Sequence, residues 1–159
     1  MRRQTKRWVV FTTAWYVLMF LLIHPKRIKK AVAFGLSLGL VPAIFLNWIT
    51  VKTYRLWRLP GDILLNGVPI LACVSWIPPA AIFANYFPYR KNLTWKTSYI
   101  LLFSLGTTIV QLVQQTIGMW ENKKWKTPYT LPLAILTHTS MAFLLPLFKL
   151  NKIRINDQY

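Results

Sequence analysis

Acidic residues are almost missing from this sequence. Among 159 residues only Asp62, Glu121 and Asp157 are acids, against 20 lysines and arginines, for a formal charge of +17. So sparse a set leaves out the clustered carboxylates that metal-dependent phosphoryl transfer requires. Cysteine is limited to Cys73, inside an apolar run, and histidine to His24 and His138. No intrachain disulfide is possible, no Cys/His spacing fits a zinc site, and Cys73 reads as a small buried apolar side chain. Gly-rich phosphate loops, HExxH and GxSxG are also missing. Enzymes therefore rank last among the functions to be weighed, and neither a metal nor another cofactor is expected.

Charge of either sign is scarce too, at 14% of residues where a soluble chain carries about a quarter. The cations stand in short groups separated by long apolar intervals. A nucleic-acid binder gathers its basic residues on one patch of a soluble domain, so this spacing argues against nucleic acid as a partner. It is the placement of Lys and Arg that flank membrane spans.

The apolar intervals set the fold class. Stretches free of Asp, Glu, Lys and Arg run over 8–25, 31–51, 63–89, 97–120 and 127–148. About 20 apolar residues cross a hydrocarbon core of roughly 30 Å as a helix. The strict alternation of barrel strands is absent, and backbone inside lipid must satisfy its own hydrogen bonds. The sequence thus predicts an all-α bundle forming a single membrane domain, with five spans at about 8–24, 31–51, 63–87, 97–118 and 128–148. Basic Met1–Arg7 ahead of apolar Val9–Ile23 resembles a signal peptide, but His24-Pro25-Lys26-Arg27 follows in place of a small-residue processing site. The segment reads as a retained first span. In the third span Pro69 and Pro78-Pro79 predict a kink, with a break into two half-helices as the alternative. Trp8, Trp48, Trp57, Tyr86, Tyr89, Trp95, Trp120, Trp125 and Tyr129 fall near span ends, as an aromatic belt requires. Orientation is undecided, because ten basic residues fall on each side of a five-span topology.

Polar groups inside the spans each need an account. In the fourth span Ser104, Thr107, Thr108, Gln111, Gln114, Gln115 and Gly118 recur at three- and four-residue steps, on one helix face. Such a stripe is either a helix-packing face or the wall of a hydrated cavity. His138, near the bilayer midplane among Thr137, Thr139 and Ser140, is either a histidine bonded to a neighbouring helix or a proton-relay or substrate-contacting group. Asp62, after Pro60-Gly61, is placed to cap the third helix, with Asn66 one turn further along the same face. Glu121 follows the fourth span, where the helix dipole disfavours a negative charge, and Lys123, Lys124 and Lys126 are at hand to compensate it. Five spans put Asp62 and Glu121 on the N-terminal side, with Asn47, Asn66, Gln114 and Gln115 in the halves of their spans nearer it. The candidate site is therefore a polar pocket of Asp62, Asn66, Gln111, Gln114, Gln115 and Glu121, open to that side with His138 at its floor.

Four segments carry a family resemblance: Arg58-Leu-Pro-Gly-Asp-Ile-Leu-Leu-Asn66, Trp76-Ile-Pro-Pro79, Tyr86-Phe-Pro-Tyr-Arg-Lys91 and Gly118-Met-Trp-Glu-Asn-Lys-Lys-Trp125. Over residues 55–146 the chain resembles a group of small uncharacterised multi-pass membrane proteins from spore-forming Gram-positive bacteria. The resemblance implies a multi-pass protein of the cell membrane and brings no activity with it. The function expected is a non-enzymatic accessory or structural membrane component. The alternatives are a small transporter or permeation subunit using the polar pocket and, last, a lipid-modifying enzyme. The expected partners are the bilayer, its anionic headgroups, and a second copy or another membrane protein.

Overall fold

The computed structural model describes residues 3–148 and residue 150. Arg2, Lys149, Lys152, Arg154 and Asp157, which enter the charge comparison above, lie outside the described residues. Five helices account for most of the fold: α1 (Arg3–Leu22), α2 (Pro25–Thr53), α3 (Ile70–Tyr86), α4 (Leu93–Thr116) and α5 (Thr127–Phe148). Of the five expected spans, three (α2, α4 and α5) are helices long and apolar enough to cross a membrane. The other two fall short for different reasons. Arg3, Lys6 and Arg7 dilute the first turns of α1. The third stretch loses its opening residues to a hairpin, which leaves a helix of 17 residues.

That hairpin corrects the expected start of the third span at 63 and the helical placement of Asn66. Strands β2 (Leu64–Leu65) and β3 (Val68–Pro69) pair antiparallel around Asn66-Gly67. Both turn residues have positive φ, 51° and 81°. Asn-Gly is the pair that tolerates this conformation best, and it closes the tight turns whose twist matches that of flanking strands. Two more strands, β1 (Trp57–Arg58) and β4 (Glu121–Asn122), pair antiparallel across the chain. The fold is therefore helical with two minimal β ladders. The expected link at 26–30 is helical as well: the chain turns at Ile23-His24, and α2 starts at Pro25, where a missing N–H is harmless.

Of the prolines expected to kink the third span, Pro69 ends β3 ahead of the helix, and at Pro78-Pro79 the alternative of a local break is found. Helix α3 is α-helical over Ile70–Val74, turns at Ser75-Trp76, and resumes over Ile77–Tyr86 with Pro78 and Pro79 in its first turn. Pro78 has no N–H to give the Val74 carbonyl, and the Tyr16 hydroxyl donates to that oxygen instead, at 3.4 Å. In α2, Pro42 is preceded by the widened π turn Gly35–Leu40, where the Val41 N–H reaches the Leu36 carbonyl. The second segment of α3 is buried at Ile77, Pro78 and each residue from Ala80 to Asn85. A helix apolar all round belongs at the centre of a bundle. Helix α2 crosses α3 at Gly35 and Gly39, where an added Cβ would lie 2.5 Å from the Ile77 carbonyl oxygen and 2.7 Å from that of Trp76. This Gly-x-x-x-Gly approach lets two backbones touch.

The bundle has two distinct ends. At the N-terminal end the Trp8 indole donates to the Pro60 carbonyl at 3.0 Å, Arg7 bonds the Ile117 carbonyl, and β1 meets β4. At the opposite end the Tyr86 hydroxyl donates to the Leu22 carbonyl at 2.6 Å and Phe34 packs against Phe148. Helices α4 and α5 form a hairpin that meets the other three helices chiefly at these ends. One contact is the tryptophan cluster around Trp57, Trp120 and Trp125. The other is an aromatic core of Phe83, Phe87, Tyr99 and Phe103, where the Tyr99 hydroxyl donates to the Phe83 carbonyl at 3.0 Å.

Candidate functional site: an interhelical cleft

Between those two contacts lies a cavity of about 590 Å³. Its walls come from all five helices and from the 54–60 segment, and they are mostly aromatic and aliphatic: Trp8, Phe11, Trp15, Trp76, Phe103 and Met141 among them. Among the described residues no lysine, arginine, aspartate or glutamate lines it. The volume lies inside the range of small-molecule sites, about 300–1,000 Å³.

The structure divides the expected polar pocket. Gln111, Gln114 and His138 line the cavity, whereas Asp62, Asn66, Gln115 and Glu121 do not. Each of the four is occupied elsewhere or placed elsewhere. Both carboxylate oxygens of Asp62 accept backbone N–H groups at the start of α3, from Leu71 and Ala72, each at 2.8 Å. Asp62 therefore caps a helix that begins eight residues downstream, reaching it across the β2–β3 hairpin. Burial pushes its carboxyl pKa up, and these backbone donors pull against the shift. Asn66 sits in the hairpin turn. Glu121 pairs with Lys123 at 3.2 Å and lies 4.0 Å from Arg58, an exposed arrangement of the kind worth about 0–1 kcal/mol. Gln115 reaches Thr127 at 3.3 Å and Asn122 at 3.5 Å, within the loop that joins α4 to α5.

His138 and Ser104 form the one side-chain pair across the α4–α5 interface that invites a catalytic reading. The His138 Nδ1 lies 3.1 Å from the Ser104 hydroxyl and 2.8 Å from the Ala134 carbonyl. A carbonyl only accepts, so Nδ1 carries the proton and cannot take one from Ser104. The Ser104 hydroxyl donates to the Ile100 carbonyl at 2.8 Å and is fully buried. The geometry orients the imidazole for packing against Phe83 and Phe103. Among the described residues no group of three His, Cys, Asp or Glu side chains is placed to hold a metal.

The polar atoms that stand out are different ones. Gln111, Asn47 and Trp57 line the cavity and are 3, 5 and 4% exposed. Neither amide atom of Gln111 has a hydrogen-bond partner, nor does the Asn47 Oδ1 or the Trp57 Nε1. Asn47 is fixed in orientation because its Nδ2 donates to the Ala43 carbonyl at 2.9 Å and faces the Cys73 sulfur at 3.6 Å. An unpaired buried polar group costs about 1–3 kcal/mol, so these atoms are a stability cost carried by the packing around the cleft. Gln111 belonged to the predicted stripe. Asn47 was among the polar groups expected toward the N-terminal side, and Trp57 is the addition, having looked like one more belt aromatic.

No protein-family model, no curated protein and no solved structure matches this chain.

Proposed function

We propose that this chain is a multi-pass membrane protein, of the cell membrane, that binds an apolar molecule from the bilayer in the cleft between α1–α3 and α4–α5, without chemical conversion. The cleft carries the reading: about 590 Å³ of mostly apolar space inside a bundle otherwise locked at both ends. The surface supports the setting. Phe143 and Leu136 on α5 are 82 and 65% exposed, and Leu102, Ile109 and Val113 on α4 are exposed with them. A soluble bundle turns such side chains inward, and large exposed apolar faces mark contact with lipid or another protein. In this proposal α1 and α3 also cross, giving five passages. Helix α1 presents exposed Val10, Val17, Phe20 and Leu21, and α3 crosses as a short helix wrapped by its neighbours. Cationic groups at both ends, including Lys29, Lys30, Arg90 and Lys124, meet anionic headgroups.

Binding fits better than catalysis because Asp62 and Glu121 are engaged outside the cleft and the serine–histidine pair has the wrong tautomer for nucleophile activation. It also fits better than permeation, because aromatic-rich clusters close the bundle at both ends.

Tryptophan fluorescence tests the cleft, since Trp15, Trp57 and Trp76 line it. In maltoside micelles a dibrominated C18 alkane is expected to quench a fraction of the emission saturably. Gly106→Leu puts a side chain into open space, with nothing within 4 Å of the new Cβ, so it fills cavity without a clash. It is expected to abolish the saturable component and leave the unfolding temperature within a few degrees of wild type. Quenching that rises linearly in both proteins would count against an internal site.

A further inference from the structure

We propose that a groove between the first turns of α1 and the end of α4 holds one anionic phospholipid, its phosphate among Arg3, Lys6 and Arg7. The site is separate from the cleft. It rests on the membrane setting proposed above and not on the cleft holding a ligand.

Helix geometry gathers the three cations. Arg3, Lys6 and Arg7 stand at i, i+3 and i+4 on one face of α1, and all three line a groove of about 450 Å³. Arg3 and Lys6 are exposed and Arg7 is half-buried, so a ligand can reach each of them. Arg7 is held in place. Its guanidinium donates to the Ile117 carbonyl and lies across Gly118, where an added Cβ would be 3.7 Å from Nη1. A guanidinium has five N–H donors, so this bond leaves others for a phosphate. Among the described residues no acid lines the groove. Asp62 caps α3, and Glu121 sits beside Lys123 and Arg58. The charges do not stabilise α1 either, since cations at the start of a helix stand against its dipole.

Basic residues that merely flank a span meet headgroups in no fixed arrangement. Here the groove continues onto apolar surface. Val10 and Phe11 follow on the same face of α1, and Ile117 adds a wall from the end of α4. Val10 and Ile117 are 67 and 39% exposed, so an acyl chain can touch them. Val10 is two turns beyond Arg3, about 10 Å along the helix axis. With α1 crossing the bilayer, that step runs from headgroup level into hydrocarbon. Phosphate and chain are thus sorted as a single lipid sorts them. Charge selects the head. A choline or ethanolamine cation would stand among three like charges with no carboxylate to receive it. A phosphatidylglycerol-type head brings only the phosphate charge. A soluble phosphate would leave the apolar wall uncovered.

The test is native mass spectrometry of the full chain from maltoside micelles, titrated with dioleoyl phosphatidylglycerol or dioleoyl phosphatidylcholine. An anionic head gains roughly fivefold in affinity for each basic group near it. One phosphatidylglycerol per chain is therefore expected to bind at least about tenfold more tightly than phosphatidylcholine. Arg3→Gln with Lys6→Gln, both at exposed positions, is expected to lose about tenfold or more of that affinity. Lys29→Gln with Lys30→Gln removes the same charge from exposed positions at the opposite end. It is expected to lose less than about twofold, because distant exposed charges are screened. Gly106→Leu, which fills the cleft, is expected to leave binding unchanged. Equal affinity for the two lipids would overturn the site, as would a loss at Arg3 and Lys6 no greater than at Lys29 and Lys30. Lost binding in Gly106→Leu would overturn it by placing the lipid in the cleft. Displacement of the lipid by glycerol phosphate at equal concentration would overturn it in favour of a soluble anion.

Discussion

Gly39→Leu is expected to abolish the folded state, or to destabilise it by about 3 kcal/mol or more. At this position α2 lies directly on the backbone of α3. A Cβ on Gly39 would stand 2.7 Å from the Trp76 carbonyl oxygen and 2.9 Å from the Ala80 Cβ. The obstacle is backbone and a buried methyl group, so neither can swing aside as the end of a long side chain would. Moving α3 is no easier, because its Ala80–Asn85 segment fills the centre of the bundle. Overpacking of this kind usually costs about 1–3 kcal/mol, and a four-carbon side chain against backbone belongs at the upper limit or past it. Thermal unfolding in detergent, followed by tryptophan fluorescence, is the measurement. Gly106→Leu is the matched control, with the same change in volume in open space.

Trp57→Ala is expected to cost about 3–5 kcal/mol, as for large aromatic truncations in a core. Trp57 is buried with its ring 4.8 Å from that of Trp120 and 5.1 Å from that of Trp125. Its backbone partner in the ladder is Asn122. One residue earlier, the Leu56 carbonyl accepts the N–H groups of Lys123, Lys124 and Trp125 at 2.9–3.0 Å. The loop between α4 and α5 is therefore held to the first half of the chain largely through one short segment. Loss of the indole is expected to free the α4–α5 hairpin at this end, leaving the Phe83–Tyr99 contact at the other. Limited proteolysis within 117–126 should then accelerate, while a site near Arg90 should not. Trp57→Phe keeps the ring packing and drops an N–H that has no partner, so it is expected to cost little, about 1 kcal/mol or less. Equal losses in the two variants would mean that the N–H is engaged after all.

The sequence made the helices legible because long apolar runs between basic clusters leave backbone few alternatives. It made an irregularity in α3 legible through Pro78 and Pro79, whose missing N–H groups are a local property, although a kink was expected and a local break is found. The helix assigned over 63–69 failed on two residues: Asn66-Gly67 is a strong hairpin signal, and the apolar character of Ile63, Leu64 and Leu65 masked it. The contact at Gly35 and Gly39 was not anticipated: their spacing suits close packing, but nothing local says which helix they meet. The candidate site divided along similar lines. Gln111, Gln114 and His138 came from intramembrane polarity, which is a property of each residue alone, and they do share a cavity. Asp62 and Glu121 were joined to them only by being acids near one end, and each is engaged locally, one as a cap and one in an ion pair. Asn47 came from the same intramembrane polarity, whereas Trp57 reaches the cleft through tertiary packing between segments far apart in sequence, which no window along the chain displays.

The most direct test of the account is the sidedness of the segments at the two ends of the bundle. Single cysteines at Lys6, Arg55, Lys124, Lys29 and Arg90, all exposed positions, would be labelled in cells with a membrane-impermeant maleimide. A Cys73→Ser background keeps an acceptor for Asn47. Five crossings predict that Lys6, Arg55 and Lys124 label together from one side, and Lys29 and Arg90 from the other. Lys6 and Lys29 on the same side would show that α1 does not cross. Arg55 and Arg90 on the same side would show the same of α3, and a cleft built between these helices inside the bilayer would be contradicted.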